Sequence, residues 1–240
     1  MSPAATAGEE LSQLEVTRWR ERAVERSLRS ARARALSRSD QFLRAASELL
    51  AETGRTDFTV QELVERAHLS LRSFYQHFAS KDELLLALFE EAIAAYVARV
   101  QVEMARHRDP VEQLRAYVLD LCSTAQATAD DGQLLSRALT QFHLRLAAAN
   151  PPEVARALGP QVELAHRVII DGVAAGRFRR DVEPQQLAVI LTQTVIGVGH
   201  MNVLGTHLTG VKVDPDELWA FCLAGLSPPA AVAADGDGHR

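Results

Sequence analysis

Arg72, Tyr75, Gln76, His77 and Lys81 fall within one stretch of ten residues. A guanidinium can form two parallel hydrogen bonds with a guanine edge, and a carboxamide can do the same with adenine. Phenol, imidazole and ammonium groups suit a backbone phosphate. Such a set is useful only if a short rigid element displays it. Leu63, Val64, Ala67, Leu69, Phe74 and Phe78 carry apolar spacing for two short helices, with a tight turn at His68-Leu69-Ser70. Because Phe74 and Phe78 must face a core, Leu71, Arg72, Ser73 and Gln76 are expected on the opposite side.

The caps of these elements can be read from the same stretch. Thr59 with Glu62, and Ser80 with Glu83, are capping boxes that start helices at Val60 and Lys81. Ser70 is placed to cap the second short helix. Lys81 and the helix start at Thr59 add charge and free N–H groups for phosphate. Helices of under ten residues are not stable alone. The pair therefore reads as a helix-turn-helix, whose second helix enters a DNA major groove.

Phe58-Thr59-Val60-Gln61-Glu62-Leu63, Ala67-His68-Leu69-Ser70 and Phe74-Tyr75-Gln76-His77-Phe78-Ala79-Ser80-Lys81-Asp82-Glu83-Leu84 together resemble the amino-terminal signature of the TetR (tetracycline-repressor) family of bacterial regulators. The likeness covers about Ala45 to Leu88. It implies that Tyr75 and His77 touch phosphate. It also implies a homodimer built on a four-helix bundle, from helices at Gln161–Ala175 and Pro184–Thr206, with Val168, Leu191, Val195, Val198 and Met201 at the interface. The chain departs from the family pattern in three places: His68 stands where Gly is common, Leu71 where polar or basic residues are, and Arg72 where small residues are.

Charge is laid out to match. The net charge is −5, but Met1 to Lys81 holds 13 basic against 11 acidic residues, and the remainder 13 against 20. A basic head on an acidic body suits a protein that docks one end on DNA. Val16 to Arg38 carries eight Arg and two Glu. Arg18, Arg22, Arg26 and Arg29 lie along one side of a helical pattern there. They would neutralise phosphate or enter a minor groove; a solvated arm and a partner-binding helix are the other readings.

The fold class is all-α, since no period-two run of β-branched residues stands between turns. Asp109-Pro110-Val111-Glu112, Asn150-Pro151-Pro152-Glu153 and Asp214-Pro215-Asp216-Glu217 repeat one start signal: a cap, Pro at N1, then Glu. The expected helices run from Asp40 to Thr53 after a break at Ser37-Arg38-Ser39, through the helix-turn-helix, and from Lys81 to Arg106. They continue over Pro110–Thr128, Gln133–Ala149, Pro151–Gly176 with an interruption at Gly159-Pro160, Pro184–Thr206 and Pro215–Leu226. Gly176 and Gly210 are read as helix stops. The expected organisation is an Arg-rich arm over 1–37, a DNA-binding domain over 38–84, an effector and dimerisation domain over 85–226, and a disordered tail over 227–240.

Gln185 to Val211 has no formally charged residue, yet Thr192, Gln193, Thr194, His200 and Asn202 argue for a buried bundle or interface helix, not a membrane span. Gly197 and Gly199 would allow close helix approach within it. Phe89, Ile93, Tyr96, Tyr117, Leu121, Leu139, Phe142 and His143 could line a pocket for a small, hydrophobic effector, with Gln126 and Gln141 as further polar anchors. Cys122 and Cys222 are expected to be buried reduced thiols. No metal or cofactor is implied, and no hydrolase, zinc-protease or phosphate-loop motif occurs. The resulting expectation is a cytoplasmic, nucleoid-bound homodimeric repressor, not an enzyme, released from a palindromic operator by a ligand. A helical adaptor without DNA binding is the alternative.

Overall fold

The computed structural model describes residues 35–124, 130–206 and 208–229. Arg18, Arg22, Arg26 and Arg29, Gln126 and the last eleven residues of the tail lie outside the described residues. All regular structure described is helical. Residues 35–53 form α1, followed by α2 (Val60–Arg66), α3 (Leu71–His77), α4 (Lys81–Met104) and α5 (Pro110–Thr124). Then come α6 (Asp130–Ala149), α7 (Pro151–Ala174), α8 (Pro184–Leu204) and α9 (Pro215–Leu226).

Two of the expected breaks are absent. The helix α1 runs through Ser37-Arg38-Ser39, which contains good caps but no Gly or Pro to stop a helix. In α7, Pro160 sits inside a continuous helix. Proline crowds the Cβ and N–H of the residue before it; here that residue is Gly159, which has no Cβ. Start signals fared well. Asp109 accepts from the Val111 N–H at 3.0 Å, and Asp214 from Asp216 and Glu217 at 2.8 and 3.3 Å. Gly176, with φ 69°, follows α7, but the residue that ends α8 is Gly205, also at φ 69°.

The chain divides into two compact units. One comprises residues up to 46 together with 59–84. Its core is Phe42, Ala45, Ala46, Leu63, Val64, Phe74, Phe78 and Leu84. Phe42 meets Phe74 edge-on at 5.6 Å and Phe78 at 6.2 Å, a favoured aromatic geometry.

The second unit comprises 47–58 and 85 onward. The segment 47–58 was expected in the first unit, but it packs on α6. A Cβ on Gly54, which has φ 64°, would come within 2.8 Å of a Leu134 methyl carbon, and Arg145 donates to the Thr56 hydroxyl at 3.3 Å. Helices α5, α7, α8 and α9 close around Tyr117, Val118, Ile169, Val195 and Trp219. Cys122 and Cys222 are buried and free in this core, and burial pushes the Cys122 thiol up to about 11. That makes it a poor thiolate source.

Candidate nucleic-acid interface and effector cavity

The helix-turn-helix is built from its caps. The Thr59 hydroxyl accepts from the Glu62 N–H at 3.1 Å, while the Glu62 carboxylate accepts from the Thr59 N–H at 2.6 Å. That carboxylate also takes the Thr59 hydroxyl proton, at 2.8 Å, so Thr59 is satisfied locally and not offered to a phosphate. Ser70 caps α3 by accepting from the Ser73 N–H at 3.1 Å. The turn between α2 and α3 needs a left-handed residue, and His68 takes that role at φ 53°. An L side chain there costs about 1–2 kcal/mol. The turn is held by the Leu69 N–H donating to the Val64 carbonyl at 3.0 Å.

Helix α3 then has two distinct faces. Phe74 and Ser73 are buried, whereas Leu71, Arg72, Tyr75 and Gln76 are exposed, Tyr75 by 58%. These positions at i, i+1, i+4 and i+5 form one stripe. Ser73 is a correction: expected in the groove, it is only 7% exposed, because it shares the inward side with Phe74. His77 is half-buried and its Nδ1–H donates to the Ser73 carbonyl at 2.8 Å. Its Nε2 is a lone pair in that tautomer, so it can donate to phosphate only as imidazolium. Lys81 is half-buried at the start of α4.

In the second unit, a cavity of about 170 Å³ opens among α4, α5, α6, α7 and α8. Of the eight residues proposed from sequence, Phe89, Ile93, Tyr96, Leu121, Leu139 and His143 line it. Tyr117 and Phe142 do not. Tyr117 is fully buried in the core beside the cavity, its hydroxyl 3.0 Å from that of Thr192, and Phe142 packs edge-on against Phe89. Sequence reading missed Gln161, Thr140, Ser136 and His200. Polar residues on helices that read as bundle core gave no signal of convergence. Gln141, read as an anchor, is exposed.

His143 Nδ1 lies 3.2 Å from His200 Nε2, with the rings edge-to-face. One nitrogen must donate and the other accept, so at least the accepting ring is neutral. Burial lowers His143 below its ordinary value, and burial first, then the charge of His143, pushes His200 down to about 4. Above pH 6.5 both folded and unfolded chains keep His200 neutral. Below it the unfolded chain binds a proton that the fold refuses. Stability should thus fall between pH 6.5 and 4, by roughly 3 kcal/mol from His200 alone. Urea titrations of wild type and His200→Gln at pH 7 and 4.5 would measure this; equal losses in both would contradict it.

The outward sides of α7 and α8 also differ from expectation. Val168, Leu191 and Val195, assigned to a partner contact, are buried in the chain's own core, and Val198 is half-buried against it. Helix α8 packs on α5, α6, α7 and α9, so its inward face is wide. What it leaves exposed is Gln185, Gln186, Ile190, Gln193, Gly197 and Met201, and the same side of α7 exposes Glu163, Arg167, Ile170, Asp171 and Ala174. Among the described residues, α8 is the helix long and apolar enough to cross a membrane by length and composition; only 33% of its most apolar window is buried. A Cβ on Gly197 or Gly199 would meet nothing within 4 Å. Neither glycine therefore serves close packing in the single chain.

An exposed polar stripe on the second of two short capped helices makes the amino-terminal unit a helix-turn-helix. Residues 42–88 match the model of the bacterial regulatory proteins of the tetR family. A transcriptional activator, FasR of Mycolicibacterium smegmatis, is 36% identical over 81 residues, 34% of this chain and 37% of that protein. The chain thus spans little more than a third of that relative's length. The solved fatty acid degradation regulator FadR of Bacillus halodurans superposes with a TM-score of 0.64 at 18% identity, covering 79% of this chain and 96% of that one. RolR in complex with resorcinol gives 0.60 at 21%, covering 83% and 92%. Residues 42–88 are thus similar to the amino-terminal domain of the tetR family, and the chain shares the all-helical fold of these solved structures.

Proposed function

We propose that this chain is a homodimeric transcriptional repressor that holds a palindromic operator and releases it when a small molecule fills the α4–α8 cavity. The observation that carries this reading is the single outward stripe of Leu71, Arg72, Tyr75 and Gln76 on a capped helix. Two such helices, one per subunit, would enter successive major grooves about 34–36 Å apart. Arg72 and Gln76 read base edges, and Tyr75 and Lys81 hold phosphate. The Arg-rich segment before α1 adds further phosphate neutralisation. The subunits meet through Ile170, Ile190, Gly197 and Met201, whose apolar groups are uncovered in one chain. An effector must bind the released state more tightly than the DNA-bound one, or it shifts nothing. The resorcinol held by one structural neighbour supports a small-molecule effector. The protein would work in the bacterial cytoplasm, at the nucleoid, without enzymatic chemistry.

The test is salt-dependent gel-shift titration on an operator selected from random DNA. Arg72→Ala should cost about 1–3 kcal/mol and relax preference at one position per half-site. Lys81→Ala should instead weaken all sequences alike and flatten the salt slope. If the wild type shows no sequence preference at any salt, the adaptor reading replaces this one.

A further inference from the structure

The cavity's size and wall restrict what can fill it. About 170 Å³ is close to the roughly 150 Å³ of a Leu-, Ile- and Phe-lined cavity that takes up benzene. It has room for one ring, and a long acyl chain would have to extend beyond it. Phe89, Ile93, Leu139, Leu158 and Ile196 make the wall mainly apolar. Among the described residues, no Asp, Glu, Lys or Arg lines it. A charged guest would be desolvated with no counter-ion, which is costly.

Polar groups at the wall are few and specific. Gln161 is 1% exposed and its Nε2 has no hydrogen-bond partner. A buried donor left unmade costs free energy that an incoming acceptor recovers. The His143–His200 pair is the second feature. Whichever ring donates, the pair keeps one further N–H and one further lone pair for a guest. A hydroxyl group, which both donates and accepts, satisfies either arrangement.

We infer that the effector is an uncharged single-ring aromatic bearing a hydroxyl or carbonyl oxygen, its ring among Phe89, Ile93, Leu139 and Ile196 and its oxygen on the Gln161 amide, with the His143–His200 pair as a second polar part of the wall. This rests on reading the cavity as the effector site, so the test must separate the two. Calorimetric titration of the full chain would compare phenol, benzene, benzoate and lauroyl-CoA. Phenol should bind, benzene about three- to tenfold more weakly, and the two anions not at all. Gln161→Leu should erase the preference for phenol and keep benzene binding, which itself reports an intact fold. A shift of the Gln161 side-chain amide resonance with phenol but not benzene gives the same answer without substitution.

Three results would overturn the inference in different ways. Benzoate or lauroyl-CoA binding more tightly than phenol, and blocked by filling the cavity with Leu139→Trp, would keep the site and reject the class. If phenol binds wild type and Leu139→Trp alike, the effector site is wrong; if wild type binds none of the four probes, the class is wrong.

Discussion

Ile190→Glu should split the dimer and leave each chain folded. Ile190 is 58% exposed in the single chain, so a carboxylate there meets water when the subunit is alone. Around the two-fold axis of the proposed dimer it would face its own copy on a stripe that runs from Gln186 through Gln193 and Gly197 to Met201. Like charges brought together out of water cost several kcal/mol. Each 1.4 kcal/mol is a factor of ten, so the dimer constant should rise at least about a hundredfold. Operator affinity should fall with it, because one reader helix holds half a site. Val195→Glu is the contrast: at 0% exposure it should unfold the chain itself. Sedimentation would show an Ile190→Glu monomer with wild-type helicity. A wild-type protein that is monomeric at micromolar concentration, or an Ile190→Glu dimer of unchanged strength, would remove the proposed interface.

The contrast between Ile190 and Val195 shows what the sequence could and could not say. Starts of helices were legible because a cap, a proline and a glutamate act locally; Pro110, Pro151, Pro184 and Pro215 all open helices. Most of the outward side of α3 was legible because two phenylalanines, Phe74 within this seven-residue helix and Phe78 at its end, fix the inward side. Ser73 was misplaced because a small polar residue fits either side, and its neighbour Phe74 decided. On α8 no such asymmetry exists. That helix is apolar nearly all round, so its pattern carries no direction, and which residues faced the core depended on four neighbouring helices. The same lack of direction hid His200, whereas Gln161 sits on the clear inward face of α7, where its residue type alone did not show that it meets a cavity. Distance in sequence left no spacing to read.

Gly172, buried in the last turn of α7, was unmarked in the sequence and should tolerate no side chain. A Cβ built there would lie 2.1 and 2.2 Å from two ring carbons of Phe178, against a contact optimum of about 3.5–4.0 Å. The ring cannot swing aside easily. Phe178 is buried to 1% exposure in the core, and its own N–H donates to the Gly172 carbonyl at 3.2 Å, beside Arg177 at 2.8 Å. The crowded pair is thus tied together by the turn that ends α7 and leads to α8. Intrinsic propensity favours alanine over glycine in a helix interior by about 1 kcal/mol. Overpacking of a filled core opposes it by about 1–3 kcal/mol, and more where neither partner can move. The clash should win, and Gly172→Ala should lose at least about 2 kcal/mol in urea denaturation. Phe178→Leu should lose stability alone, yet recover part of the loss when combined with Gly172→Ala, since the two substitutions act at one contact. Stabilisation by Gly172→Ala, or strict additivity of the pair, would mean that the ring does not rest on this glycine.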